Sequence, residues 1–161
     1  MKKRLLSLLL ICCMVLTLMP ATAFAATNYT LAVDTFWFDS DNLTYQGTTG
    51  TATYNPNTTT LTLDNFSITA SNNEGSVIYS EIPGLKIVVK GTNTITIPNT
   101  LNAMTTAAIA LTNANATISG TSASNDKLII NSAGTSVSQP FRDGTTRVGI
   151  TTYQSGLTVQ N

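Results

Sequence analysis

The sequence predicts an all-β chain, wound as a short right-handed parallel β-helix (a β-solenoid) with a β cap at its N-terminal end. Apolar and hydroxyl side chains alternate in Thr60-Leu61-Thr62-Leu63, Ser67-Ile68-Thr69, Thr94-Ile95-Thr96-Ile97 and Leu157-Thr158-Val159. That period of two puts apolar groups on one face of a strand and hydroxyls on the other. A strand-turn-strand unit also occurs twice. Leu85-Lys86-Ile87-Val88-Val89-Lys90 passes through Gly91-Thr92 to Thr94-Ile95-Thr96-Ile97, and Ala116-Thr117-Ile118-Ser119 passes through Gly120-Thr121 to Lys127-Leu128-Ile129-Ile130. The two glycines are 29 residues apart (91 to 120), within the range of stacked repeats. No window carries a capped i, i+3, i+4 apolar stripe, and in the nearest candidate, residues 101–111, Ile109 and Leu111 suit a strand better.

Residues 1–25 form a secretory signal. Met1-Lys2-Lys3-Arg4 is its positive start, residues 5–18 are almost wholly apolar, and Ala23-Phe24-Ala25 is a peptidase site, which places the exported start at Ala26. The apolar run is shorter than the ~20 residues a membrane span needs, and no cationic stop follows it. Leu9-Leu10-Ile11 ahead of Cys12 lacks the small residue of a lipid-attachment site. The product is expected to be secreted, extracellular or wall-associated, with no membrane contact after cleavage. Cys12 and Cys13 leave with the signal, so neither thiol nor disulfide supports the exported fold.

Residues 26–57 hold most of the aromatics (Tyr29, Phe36, Trp37, Phe38, Tyr45, Tyr54) and two turn-rich stretches, Asp39-Ser40-Asp41-Asn42 and Gly47-Thr48-Thr49-Gly50. Large rings bury much area per side chain, so this segment is expected to cap the apolar end of the first rung. Residues 58–161 are expected to form the rungs. Val77-Ile78-Tyr79, residues 85–89, and Ile95 with Ile97 make one rung. Ile109-Ala110-Leu111, Ala116-Thr117-Ile118 and Leu128-Ile129-Ile130 make the next. Val148-Gly149-Ile150 and Leu157-Thr158-Val159 begin a third, with like strands stacked in parallel about 4.8 Å apart. Gly91 and Gly120 are placed at the sharp turns, where positive φ is favoured. Asn65, Asn93 and Asn113 either stack their amides along one corner or serve as plain turn formers. The chain stops at Gln160-Asn161 with the third rung unclosed, as expected of a fragment with further domains beyond Asn161 or of a chain whose end a partner covers.

Chemistry is bounded by what is missing. There is no histidine in the chain and no cysteine after residue 13, which removes thiol nucleophiles, zinc sites and the usual base at neutral pH. After residue 25 five cations (Lys86, Lys90, Lys127, Arg142, Arg147) face eight acids, with no basic stripe, so nucleic acid is not an expected partner. Asp39 and Asp41 are the closest carboxylate pair in sequence. They are candidates for calcium, since a hard cation takes several oxygens from one short loop, although the run lacks the glycine and distal glutamate of an EF-hand and equally suits a turn. Trp37, Tyr45, Tyr54, Tyr79 and Tyr153 are candidates to stack on sugar rings, with Thr and Asn to meet hydroxyls; burial in the cap is the competing account of Phe36, Trp37 and Phe38. The Asn-x-Ser/Thr signatures, as at Asn28-Tyr29-Thr30, are expected by chance in a chain this rich in Asn and Thr.

Tyr29-Thr30-Leu31-Ala32-Val33, residues 50–65 and Lys90-Gly91-Thr92-Asn93-Thr94-Ile95 together resemble the secreted surface proteins of Gram-positive bacteria that couple such an opening to parallel β-helix rungs with a G-x-N-x-I pattern. Some of these are described as carbohydrate-binding domains. The resemblance implies the fold and a place outside the cell, and carries over no catalytic or ligand residue. With the absent histidine and thiol and the candidate stacking aromatics, the expected function is a non-catalytic binding or adhesion module for polysaccharide or cell-wall glycan, without an obligatory cofactor. Two alternatives stay open: a structural spacer within a larger wall-associated protein, and a polysaccharide lyase or hydrolase of the β-helix type.

Overall fold

The alternating runs form strands throughout. The computed structural model describes residues 26–71, 75–98, 105–113, 115–122, 125–132 and 146–160, and all regular structure among them is β. The signal segment lies outside the described residues, and so does the sequence Gln139-Pro140-Phe141-Arg142-Asp143-Gly144, which interrupts the repeat ahead of the expected third rung and leaves the register after Asn131 unspecified by sequence. The strands are β1 (Asn28–Val33), β2 (Phe36–Asp39), β3 (Thr44–Gln46), β4 (Thr49–Asn55), β5 (Thr60–Thr69), β6 (Gly75–Ser80), β7 (Leu85–Lys90), β8 (Thr92–Ile97), β9 (Thr105–Thr112), β10 (Ala116–Gly120), β11 (Lys127–Ser132), β12 (Thr146–Tyr153) and β13 (Leu157–Gln160). They make two mixed sheets, one of five strands in the order β12-β9-β6-β1-β2 and one of eight whose main path is β11-β8-β5-β7-β10-β13.

From β6 onward every parallel partner lies three elements further along the chain. Ile78 pairs with Ile109 and Ile109 with Ile150; Leu85 pairs with Ala116 and Ala116 with Leu157; Ile95 pairs with Ile130. Parallel stacking of these strands is the expectation from sequence, but the register differs: the triplets 77–79 and 109–111 set side by side are one residue off the observed pairing of Ile78 with Ile109. β5 serves two neighbours, because Asn65 turns it: Thr60 to Asp64 pair with β7 and Ser67 to Thr69 with β8. The N-terminal strands pair otherwise. β1 is antiparallel to β2 and β6, and β4 is antiparallel to β3 and β5.

Inward positions fill the core. Leu61, Leu63, Phe66, Ile78, Leu85, Ile87, Ile95, Ile97, Ile109 and Leu111 are fully buried, each contributing about 2 kcal/mol of transfer free energy relative to exposure. A line of ring contacts covers the β5 end of this core: Tyr29–Tyr54 at 5.0 Å, Phe38–Tyr54 at 6.2 Å, Phe36–Phe38 at 5.1 Å, Phe36–Tyr45 at 5.4 Å and Tyr45–Phe66 at 6.1 Å. At the other end β11, β12 and β13 are edge strands, and Val159 is 70% exposed. A hollow of about 300 Å³, lined by Val89, Ile118, Ile130, Ile150 and Val159, opens there.

The corner geometry corrects two expectations. Gly91 (φ 66) turns the chain between β7 and β8, but Gly120 closes β10 opposite Val89 and has no positive φ. Paired positions in β7 and β10 are 31 residues apart (87 to 118), so the equal spacing of the Gly-Thr dipeptides does not mark equal places. The left-handed residues that share this corner are Gly50 (φ 60), Asn65 (φ 47) and Gly91. A Cβ on Gly50 would overlap the backbone of Asp64 and Asn65, and one on Gly91 would overlap the Asn65 amide, so the three are in close contact. Nor do Asn65, Asn93 and Asn113 form one ladder. Asn113 (φ 52) lies at a different turn, where its N–H donates to the Tyr153 carbonyl, and Asn93 is wholly buried in β8.

The next place on the corner is taken by Asp126. Its carboxylate accepts the Gly91 N–H at 2.7 Å, the Thr121 N–H and hydroxyl, and the Ser122 N–H, which hold its pKa down to about 2. A folded-state pKa below the unfolded value means that this support is complete above about pH 4 and is lost as pH falls through about 2. Hydrogen exchange at Gly91, Thr121 and Ser122 is therefore expected to quicken over that interval beyond the intrinsic pH effect, and Asp126→Asn to remove the extra acceleration. Equal pH profiles for the two proteins would show that the carboxylate does not hold the turn.

Candidate functional site

Pairing fixes which side chains share a face, since residues opposite each other in a ladder point the same way. In the five-stranded sheet Trp37 pairs with Ala32, Ala32 with Tyr79, and Tyr79 with Ala110; two residues on, Thr112 pairs with Tyr153. Trp37, Tyr79 and Tyr153 thus lie on one outer face, while Phe38, Ile78 and Ile109 point into the core. Trp37 is 56% exposed and Tyr153 63%. The strict alternation of Phe36-Trp37-Phe38 in β2 explains this: Phe38 is buried and Phe36 packs on the core, which sends the indole outward. Burial thus accounts for the two phenylalanines but not for Trp37.

The rings are held in place. Trp37 and Tyr79 meet edge to face with centroids 6.0 Å apart. The Tyr79 hydroxyl donates to Glu81 Oε1 and also meets Thr112. The hydrogen bond to Glu81, with burial and the carboxylate's charge adding to it, raises the phenol pKa and keeps it neutral. Beside the pair runs a groove of about 470 Å³, lined by Asp34, Thr35, Trp37, Ser76 and Tyr79 among others. Asp34 is a buried left-handed turn residue (φ 55) whose carboxylate accepts the Ser71 N–H at 3.1 Å and the Ser71 hydroxyl.

The other candidates are placed elsewhere. Tyr45 packs between Phe36 and Phe66, where burial raises its pKa, and Tyr54 is buried. Asp39 Oδ1 accepts the Asp41 and Asn42 N–H groups, and both of its oxygens accept from the Asn42 amide, which lowers its pKa. The Asp-Ser-Asp-Asn run is thus a self-bonded turn. Among the described residues no group of three or more His, Cys, Asp or Glu side chains converges to hold a metal ion. Asn93, proposed from sequence as a turn residue, is instead a buried clamp: its Oδ1 accepts the Phe66 N–H at 2.8 Å and its Nδ2 donates to the Lys90 and Gly91 carbonyls at 3.0 and 3.2 Å. Sequence inspection missed Glu81, Asp34 and Thr112 as neighbours of Tyr79; the spacing of two between Tyr79 and Glu81, which puts both on one side of an extended strand, was the available signal.

No family model, curated protein or solved structure matches this chain. No helix of the described residues is long and apolar enough to cross a membrane.

Proposed function

We propose that the chain is a secreted parallel β-helix module, capped by β1 to β4, that binds polysaccharide on the outer face of its five-stranded sheet. The observation that carries the binding assignment is the common face of Trp37, Tyr79 and Tyr153. Flat rings pack against the C–H faces of pyranoses, and the hydroxyls of Thr112 and Tyr79 lie between them to meet sugar hydroxyls. Because the rings sit on three strands of one sheet, their spacing is set by the ladder at about 4.8 Å per strand. Such a face needs no loop closure to bind. The β-helix reading is supported by the parallel register that recurs every third strand, and export by the signal-like residues 1–25.

Pull-down of the purified protein on insoluble plant and bacterial wall polysaccharides, with and without calcium, tests the assignment. Selective retention is expected, with Trp37→Ala weakening it about tenfold or more while leaving circular dichroism and melting unchanged, since an exposed ring contributes to binding and little to folding. Retention of the variant equal to that of wild type removes the aromatic face from the argument. No retention of folded protein on any polysaccharide favours a spacer, and calcium-dependent product release favours a lyase or hydrolase.

A further inference from the structure

The outer face carries negative charge beside its rings. Glu81 follows β6 on the Tyr79 side, with Oε1 accepting the phenol, and Asp34 lines the adjoining groove. Lys86, Lys90 and Lys127 belong to the other sheet, on β7 and β11. Arg147 is the one cation in the sequences of the five strands of this sheet, and register places it on β12 opposite Thr106, which in turn pairs with Gly75. Over the chain after residue 25, acids outnumber cations by eight to five. Two rings meeting edge to face present ring surface on two sides of the corner between them, and a cation is attracted to such surfaces within about 6 Å of a centroid.

We propose that the groove between Trp37 and Tyr79 takes an ammonium group, and that the glycan recognised is an amine-bearing one, a de-N-acetylated amino-sugar polymer. The inference rests on the reading of this face as a glycan surface. The pyranose stacks on Trp37 or Tyr79 as any sugar would. Its amine, charged at neutral pH, sits against the second ring on the groove side, where Asp34 lies, with Glu81 flanking Tyr79 from the other side, so charge selects the polymer that ring stacking alone would not distinguish. Polyuronates are disfavoured by the same two carboxylates. N-acetylation removes the cation and adds bulk at the position that must enter the corner.

Binding isotherms of the purified protein on chitosan, chitin and cellulose particles, with poly-lysine beads as a sugar-free polycation, test this. Chitosan is expected to bind at least about tenfold more tightly than chitin or cellulose, and the preference to shrink as salt rises. Trp37→Ala is expected to reduce chitosan affinity about tenfold, and Glu81→Gln about fivefold with little change on cellulose. Equal affinity for chitin and chitosan overturns the amine inference and leaves the glycan reading standing. Poly-lysine binding as tight as chitosan binding, or chitosan binding unchanged in both variants, identifies diffuse charge attraction and also overturns it. No retention on any of the three glycans by folded protein means that the glycan reading itself has failed.

Discussion

Replacing Asn93 with alanine is expected to lower unfolding free energy by about 3 kcal/mol and the melting temperature by about 10 °C. Asn93 is fully buried, so nothing in solvent can take over its bonds. Its Oδ1 is the acceptor for the Phe66 N–H, and a buried donor left unpaired costs about 1–3 kcal/mol. The truncation also leaves a small cavity and removes the Nδ2 bond to the Lys90 carbonyl; the Gly91 carbonyl keeps the Lys127 N–H at 2.8 Å. These losses fall where β5, β7 and β8 meet, so they weaken the corner rather than one strand.

Asn93→Asp separates shape from hydrogen bonding. The carboxyl has the same outline and keeps an acceptor for Phe66, but turns an acceptor toward the Lys90 and Gly91 carbonyls. Burial and those carbonyls disfavour the charged form, so the folded-state pKa of the introduced group lies above its unfolded value near 3.9. Below that value the protonated group can donate and the loss is small; the loss grows as pH rises through the folded-state pKa. Thermal melts of Asn93→Asp at pH 4 and pH 7, each against wild type, check the sign. A smaller deficit at pH 7 than at pH 4, or a melting change of less than about 2 °C in Asn93→Ala, contradicts the clamp.

Strand positions were legible where apolar and hydroxyl residues alternate strictly, as in Thr60-Leu61-Thr62-Leu63 and Thr94-Ile95-Thr96-Ile97, because such a strand has one way to face the core. Register was not: Val77 and Ile78 are both buried in β6, as are Ala107, Ala108 and Ile109 in β9, so parity alone does not choose the phase that pairs Ile78 with Ile109. The corner was less legible. Left-handed φ is reached by glycine and asparagine alike, so Gly50, Asn65 and Gly91 share a place that no single residue type marks, and the Gly-Thr dipeptide at position 120 is a coincidence of composition. Asn93 shows the converse. Its neighbours Thr92 and Thr94 make it look like a turn residue, yet parity with Ile95 and Ile97 assigns it inward, and an inward asparagine must find partners for both ends of its amide. The outer face was half visible. Parity in Phe36-Trp37-Phe38 separates the indole from the two rings beside it, but that Trp37 meets Tyr79 depends on antiparallel pairing of β1 with both β2 and β6 across more than forty residues (33 to 78), which no local pattern encodes.

Gly50→Ala is expected to be the most damaging of the glycine substitutions, at about 4 kcal/mol. The left-handed conformation costs an L-residue about 1–2 kcal/mol, and overlap with fixed neighbours adds about 1–3 kcal/mol. The neighbours here are the Asp64 carbonyl and the Asn65 backbone, which are held by the β5 ladder to β7 and cannot swing aside as a side chain would. Gly84 supplies the comparison. It has φ 71 but nothing within 4 Å of an added Cβ, so Gly84→Ala should lose only the conformational part, about 1–2 kcal/mol. Gly91→Ala should fall between them, because its Cβ meets the Asn65 amide, the movable end of a side chain. Denaturant unfolding of the three variants measures the order directly. If Gly50→Ala and Gly84→Ala lose equal stability, backbone conformation alone sets the glycine requirement and the close packing of Gly50 on Asn65 contributes nothing. If the expected order holds, the corner is a tightly packed column, which places β4 against β5 and so fixes where the N-terminal aromatic rings sit on the core.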